Sequence, residues 1–392
     1  MRRLLFCWEL GANFGHLSAI SAANGELAGA GFEVTFVAAD INAAAIALGR
    51  NATVLQAPVW PRHRHHGAPI GLVSYGDLLA YFGFDDPDVL GTMVDAWRRI
   101  FDLVRPDVLV IDHGPTAILA ARLAGLPTVA MGTGFTMPPL EYPAFPIIRS
   151  DQPAAVPESR MLEMIGRVFA MRGASQALAA TLPGCFATRE RIIMGLPELD
   201  PYQSFRREGL SQPPGGFAPP SPGAPPALFA YLGADLPGFA EKLQVLCDAD
   251  LPVELFIRGG DRMHHQFVRL RGKTVHEQPA PMHELLPRIS HIISEGGAMT
   301  ASMAMAAGKP NLMLTRHGET RLNAALVVRL GTGREMDATA DINRFRSDLK
   351  AFLSDRNLTD RAADVAKVLA TRPLPDAGQQ LLAALGRLAP AS

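Results

Sequence analysis

Two glycines, Gly296 and Gly297, stand between the apolar run Ser290 to Ser294 and a stretch of small residues at helical spacing, Ala298 to Ala307. The first run has no room for a polar face and reads as a buried parallel strand. Glycines between a strand and a helix start leave backbone amides bare at the positive end of the helix dipole, so this turn is a candidate phosphate site. Two further side chains with chemical potential fall at strand ends. His16 lies in the loop Gly11 to His16 after the opening run Leu4 to Leu10, and Asp112 closes the run Asp107-Val-Leu-Val-Ile-Asp112. Histidine titrates near neutrality, and a carboxylate bound to one ring nitrogen fixes the tautomer and stabilises the cation, the arrangement that general-base catalysis uses.

The elements that position these residues alternate strand with helix. Leu4 to Leu10, Ser18 to Ala30 and Glu33 to Ala38 form one βαβ unit whose loop lies at the carboxyl ends of the strands, where open α/β sheets bind ligands. Further strands are read at Asn51 to Ala57, Asp107 to Asp112 and Thr128 to Met131, with helices at Asp86 to Val104, Thr116 to Ala124 and Met161 to Ala180. Residues 212 to 226 hold seven prolines and three glycines, a composition that excludes helix and central strand and marks a linker. Beyond it the alternation resumes with strands Leu228 to Tyr231, Val253 to Ile257, Ser290 to Ser294 and Asn311 to Leu314. Helices are read at Pro237 to Cys247, Ala298 to Ala307, Asp341 to Leu353, Asp360 to Leu369 and Pro373 to Leu388. Leu10-Gly11-Ala12-Asn13 after the first strand is echoed by Leu232-Gly233-Ala234-Asp235 after Tyr231.

A chain of 392 residues, 48% hydrophobic, fits two domains, and a formal net charge of -1 offers no field for nucleic acid or an anionic membrane. Cys7, Cys185 and Cys247 are far apart and belong to no Cys-x-x-Cys pair, which suits a reducing cytoplasm and argues against structural zinc. The basic and then apolar opening is interrupted by Glu9, Asn13 and His16, so it reads as a strand rather than a signal peptide, and no apolar run approaches the roughly 20 residues that cross a bilayer. His63, His65 and His66 sit among Pro, Gly and Arg with no partner carboxylate and no i, i+4 pair, and so read as an exposed loop rather than a metal site.

This order of parts resembles the inverting glycosyltransferases of the GT-B fold, the UDP-glycosyltransferase superfamily. There a strand ends in His-Gly-Gly, a helix starts with a small hydroxyl residue, and the next strand leads to an acidic residue, Gln, two residues and Asn-Ala. Gly296, Gly297 and Thr300 match the first part, and Glu319, Asn323 and Ala324 the second, while Glu295 stands in place of His and Thr320 in place of Gln. Gly15-His16 matches the family's Gly-His, with Ala19 where Pro is usual. The stretch Val275 to Met282 resembles the segment that reads the base, with Pro279 and Met282 replacing its aromatic residue and Gln.

The resemblance implies an α/β chain of GT-B architecture, two Rossmann-like domains with parallel sheets facing a central cleft. The expected limits are 1–210 for an acceptor-binding domain, 211–226 for the linker, 227–372 for a donor-binding domain, and 373–392 for a tail helix that crosses back to the first domain. It implies transfer of a sugar from a UDP- or dTDP-sugar to a hydroxyl of a small-molecule acceptor, without cofactor or metal. His16 is then the base and Asp112 its orienting partner. Gly233, Arg258, Met282, Glu295, Gly296, Gly297, Thr300, Glu319, Thr320 and Asn323 form the donor site, and the region of His63, His65 and His66 lines the acceptor pocket. A carboxylate beside a diphosphate repels it unless a cation intervenes, so Glu295 is expected to lie within reach of Arg258, Arg316 or Arg321, or to turn away. Two other readings stay open: a GT-B nucleotide-sugar epimerase, and a catalytically silent GT-B protein that binds a nucleotide sugar or a partner, which Glu295 favours. A homodimer also stays open.

Overall fold

In the computed structural model, which describes residues 1–11, 14–49, 51–61, 73–149, 154, 156–221, 223 and 225–390, the apolar opening run becomes the centre of a parallel sheet. Strand β1 (Arg2–Trp8) buries Leu4 through Trp8 and pairs on both edges, as a strand without a polar face must. Its sheet continues through β2 (Phe32–Ala38), β3 (Thr53–Gln56), β4 (Val108–Asp112), β5 (Thr128–Thr133) and β6 (Glu190–Met194) in the order β3-β2-β1-β4-β5-β6. The crossovers carry α1 (Gly15–Gly29), α2 (Ile41–Leu48), α3 (Tyr75–Phe82), α4 (Pro87–Val104), α5 (Pro115–Ala124) and α6 (Glu158–Ala170). Helix α4 shows why its limits are legible. Asp86 caps the amides of Asp88 and Val89, Pro87 occupies the first turn, and Leu90, Val94, Trp97 and Phe101 bury one face at helical spacing.

The second sheet is built the same way. It comprises β7 (Leu228–Gly233), β8 (Val253–Arg258), β9 (Thr274–His276), β10 (His291–Ser294), β11 (Asn311–Thr315) and β12 (Gly333–Asp337), all parallel, in the order β12-β11-β10-β7-β8-β9. Helices α7 (Phe239–Cys247), α8 (Arg262–Leu270), α9 (Met282–Leu285), α10 (Ala298–Ala306), α11 (Gly318–Arg329), α12 (Ile342–Leu353) and α13 (Arg356–Ala370) accompany it. Both sheets have the winding order of a Rossmann-like unit. Strand order reverses between β1 and β4 in one and between β7 and β10 in the other, and such switch points open a crevice at the carboxyl ends of the strands.

The first compact unit comprises Met1–Met194, Tyr202–Gly215 and Pro375–Ser392; the second comprises Gly195–Pro201 and Gly216–Leu374. Residues 195–201 sit with the second unit because Leu196 and Leu199 pack on Ala301, Met305, Met313 and Ala324. The proline-rich stretch is divided. Gln212 bonds through its backbone to Pro375 and Ala377 in the first unit, where helix α14 (Ala377–Leu388) packs on α1 and β6. Two of the element limits that differ from the sequence reading bear on the site and on α6. His16 lies in the first turn of α1 rather than in a loop, and α6 ends at Ala170, shortly before Gly173 takes a φ of 67°.

Candidate active site

At the first switch point the register pairs Trp8 of β1 with Asp112 of β4, so the exit of β1 stands beside the end of β4. The chain leaves Trp8 toward Gly11, and the second residue of α1 is His16. His16 Nδ1 lies 3.0 Å from Asp112 Oδ1. The imidazole is stacked against the Trp8 ring at 5.3 Å and against the His113 ring at 5.8 Å. Asp112 is buried, and burial raises its carboxyl above the ordinary range while the facing imidazole pulls it down. A hydrogen bond that takes Nδ1–H leaves the lone pair on Nε2. Gly11 passes over that nitrogen: its φ is 93°, and a Cβ there would fall 2.3 Å from Nε2, so only glycine fits.

Two buried residues of this region carry no signal in sequence spacing. His113 follows Asp112 in the left-handed conformation, φ 44°, and neither of its ring nitrogens has a hydrogen-bond partner. Burial first, and the neighbouring His16 second, depress its pKa to about 3, so this ring is neutral at working pH. It lines a small cavity with Tyr75, Thr136 and Arg191. Glu9, just past β1, accepts from the indole nitrogens of Trp60 at 2.9 Å and Trp97 at 3.1 Å and from the amides of Thr116 and Ala117, both at 3.1 Å, in the first turn of α5. Its carboxylate ties the segment after β3, helix α4 and helix α5 to the end of β1. A buried acid calls for partners, but the two tryptophans and α5 are scattered along the chain, and only the fold names them.

At the second switch point the carboxyl ends of β11, β10, β7 and β8 each contribute one member to a charged cluster. Glu295, after β10, accepts the Gly233 amide at 2.6 Å and the Arg258 guanidinium at 3.3 Å on Oε1, and pairs with Arg316 at 3.0 Å on Oε2. Asp235 binds the same two arginines, Arg258 at 2.8 Å and Arg316 at 3.0 Å. Burial opposes ionisation of Asp235, and the arginines outweigh it and hold its carboxyl below the ordinary range. Glu295 thus reaches two of the three arginines considered from sequence. Arg321 pairs with Asp337 instead.

The glycine turn is held from below. Gly296 has φ 86°, its carbonyl accepts from Asn323 Nδ2 at 2.9 Å, and a Cβ there would meet Thr320 Cβ at 2.9 Å. Thr320, expected from sequence in the donor site, lies against this turn. Its short side chain is buried, accepts from the amides of Arg316 and His317, and donates to the His317 carbonyl, so its hydroxyl closes the start of α11. Asn323 is likewise buried, and its amide group supports the turn. Gly297 is exposed and caps α10, Thr300 is half-buried in the first turn of that helix, and Glu319 is half-buried at the second residue of α11. Met282 opens α9 after the edge strand β9, three strands along the sheet from β10. His63, His65 and His66 lie outside the described residues. Among the described residues, no group of three or more His, Cys, Asp or Glu side chains is placed to hold a metal ion.

Comparison with known proteins adds to this geometry. Solved glycosyltransferases superpose along nearly the whole chain: the calicheamicin glycosyltransferase CalG4 with a TM-score of 0.63 and 20% identity, and VinC, solved in complex with dTDP, with a TM-score of 0.60 and 16% identity, each over 99% of both chains. Residues 254–385 match the family described as erythromycin biosynthesis protein CIII-like, C-terminal domain. The chain has the GT-B fold. Among relatives, the elloramycin glycosyltransferase ElmGT of Streptomyces olivaceus is 25% identical over 76% of this chain and 73% of its own length. The PGL/p-HBAD biosynthesis glycosyltransferase of Mycobacterium tuberculosis is 24% identical over 70% of this chain and 69% of its own. In this GT-B chain two six-stranded parallel sheets carry the architecture. Among the described residues, no helix of the GT-B chain is long and apolar enough to cross a membrane.

Proposed function

We propose that this glycosyltransferase moves a sugar from a nucleoside diphosphate sugar to a hydroxyl of a small-molecule acceptor, with inversion at the anomeric carbon and with His16 as general base. The observation that carries the reading is the His16–Asp112 pair at 3.0 Å on the first switch point. In the proposed step the acceptor oxygen attacks the anomeric carbon, its proton passes to His16 Nε2, and the bond from that carbon to the diphosphate oxygen breaks with its electron pair on the leaving group. Asp112 keeps Nδ1 protonated and stabilises the imidazolium that forms. The α10 amides beyond Gly297, with Arg258 and Arg316, answer the charge that grows on the diphosphate, so the protein itself supplies this electrostatic task.

Supporting the substrate class, two relatives are named for elloramycin and PGL/p-HBAD biosynthesis, and solved neighbours hold dTDP or, for the spinosyn rhamnosyltransferase SpnG, its aglycone. A UDP- or dTDP-sugar is therefore the proposed donor. The cytoplasm is the proposed compartment, since Cys7, Cys185 and Cys247 are buried free thiols. The test is incubation of the protein with UDP- and dTDP-sugars and a panel of phenolic and alcoholic acceptors, with product mass and anomeric configuration read out. A product of retained configuration, or conversion of the donor to its epimeric nucleotide sugar with no transfer to any acceptor, would overturn the mechanism. A second reading, a GT-B protein that binds nucleotide sugars without turnover, draws on the carboxylate of Glu295 at the Gly233 amide. Stoichiometric donor binding with no product from any acceptor would favour it.

A further inference from the structure

We propose that Arg258 and Arg316 form the clamp for the donor's diphosphate and that Glu295 is the internal anion of that clamp, leaving the Gly233 amide when a nucleoside diphosphate arrives. This deepens the functional reading above and rests on its placement of the donor at the second switch point.

Four observations lead to it. The Glu295 carboxylate collects one backbone amide and two guanidinium groups, at 2.6, 3.3 and 3.0 Å, a donor set suited to a phosphate as well as to a carboxylate. Gly233 leaves room for the guanidinium beside the amide, so that both donate to Glu295 Oε1, because a Cβ there would lie 2.2 Å from Arg258 Nη2. The cluster is neutral, with two carboxylates against two guanidiniums, so a diphosphate added to it without displacement meets no net attraction and two nearby like charges. The side chains of Arg258, Glu295 and Arg316 are 22%, 15% and 30% exposed, so an incoming anion has access to all three.

The fold also states which part moves. The backbone on the far side of Glu295 is fixed by Asn323 on the Gly296 carbonyl and by the packing of Gly296 on Thr320. Displacement is therefore a rotation of the Glu295 side chain, with the turn left in place. Asp235 keeps both arginines in position after Glu295 has left, since it binds each of them independently. A ligand must bring enough anionic oxygen to replace three contacts. A nucleoside diphosphate does so, whereas an uncharged nucleoside leaves Glu295 where it is, so the site discriminates by charge.

The test is calorimetry on the full-length chain with dTDP, UDP, thymidine and uridine, for the native protein, Glu295→Gln and Arg316→Ala. Glu295→Gln keeps an oxygen for the Gly233 amide and removes the charge. It is expected to tighten dTDP or UDP about tenfold or more while nucleoside affinity changes less than about twofold. Arg316→Ala is expected to weaken the diphosphates about tenfold with nucleosides again unmoved. Glu295→Ala carries the same expectation as Glu295→Gln if glutamine disturbs the fold. Unchanged or weaker diphosphate binding in the folded Glu295 variants overturns the displacement and leaves the donor-site reading intact. Failure of native protein and variants alike to bind any of these diphosphates overturns both.

Discussion

His16 Nδ1 and Asp112 Oδ1 stand 3.0 Å apart although 96 positions separate the residues in the chain. Adjacent parallel strands make this possible, because β1 and β4 end at one level and the switch point leaves their exits uncrossed. If His16 is the base, His16→Ala removes most turnover, by about 100- to 10,000-fold, with donor affinity unchanged. Asp112→Asn costs less with a phenol or thiol acceptor than with an aliphatic alcohol, since an acidic nucleophile needs little help losing its proton. Single-turnover transfer to an alcohol is the decisive measurement. A folded His16→Ala protein that binds donor and transfers at the native rate removes His16 from the mechanism.

His113 stacks on His16, yet the two rings have different tasks. With a pKa held at about 3 by burial and by its neighbour, the His113 ring stays neutral from pH 5 to pH 8. It therefore adds no second positive charge beside the proposed imidazolium. Ring-carbon chemical shifts of His113 are expected to stay flat over that range. A titration midpoint above pH 5 would refute the neutral assignment and make His113 a competitor for the acceptor's proton.

The parts of this molecule that were legible in sequence share one property: their signal is local. Asp86 and Pro87 announce α4, Gly125 ends α5, and the strand-glycine-helix pattern around Gly296 locates the second switch point. Strand β6 gives no clear sequence signal because Glu190-Arg191 opens it with two charges, and neither does α8, where Arg262 to Leu270 buries only Val268. Side-chain roles were harder to read than element positions. Thr320 and Asn323 matched positions of a binding motif, yet both are buried under the turn they support. No spacing rule brings Trp60, Trp97 and α5 to Glu9, because the partners come from three separate parts of the chain.

The glycine turn separates a ligand effect from a folding effect at adjacent positions. A Cβ at Gly297 meets nothing within 4 Å, and φ -64° with ψ 135° suits any residue, so Gly297→Val is expected to fold normally. Its side chain would then stand in the approach to the α10 amides and weaken nucleotide binding by about tenfold or more. Gly296→Ala is the opposite case. The positive φ and the contact with Thr320 make it lose about 1–3 kcal/mol of stability, read by urea unfolding. Native nucleotide affinity in a folded Gly297→Val protein would move the donor site elsewhere.

Glu9 gives the first unit a pH dependence whose sign comes from its burial. Desolvation raises the carboxyl from 4.5 to about 7, and the donors from Thr116, Ala117, Trp60 and Trp97 offset only part of that rise. A folded-state pKa above the unfolded value means that the folded chain binds the proton more tightly. Between pH 4.5 and 7 the unfolded chain ionises Glu9 while the folded chain resists, so this group's stabilising contribution is full at the acid end and is lost as pH rises through 7. Glutamine at this position cannot ionise, so the difference between variant and native protein isolates the contribution from other titrating groups. Glu9→Gln gives up part of the hydrogen bonding, because its amide nitrogen meets the indole N–H of Trp60 or the donors on the other oxygen, and it is expected to be less stable than native protein near pH 5. From pH 5 to pH 8 that difference should shift in favour of the variant by on the order of 3 kcal/mol. The measurement is urea unfolding of both proteins at several pH values. A difference independent of pH would show that Glu9 is ionised throughout and that its four donors outweigh burial.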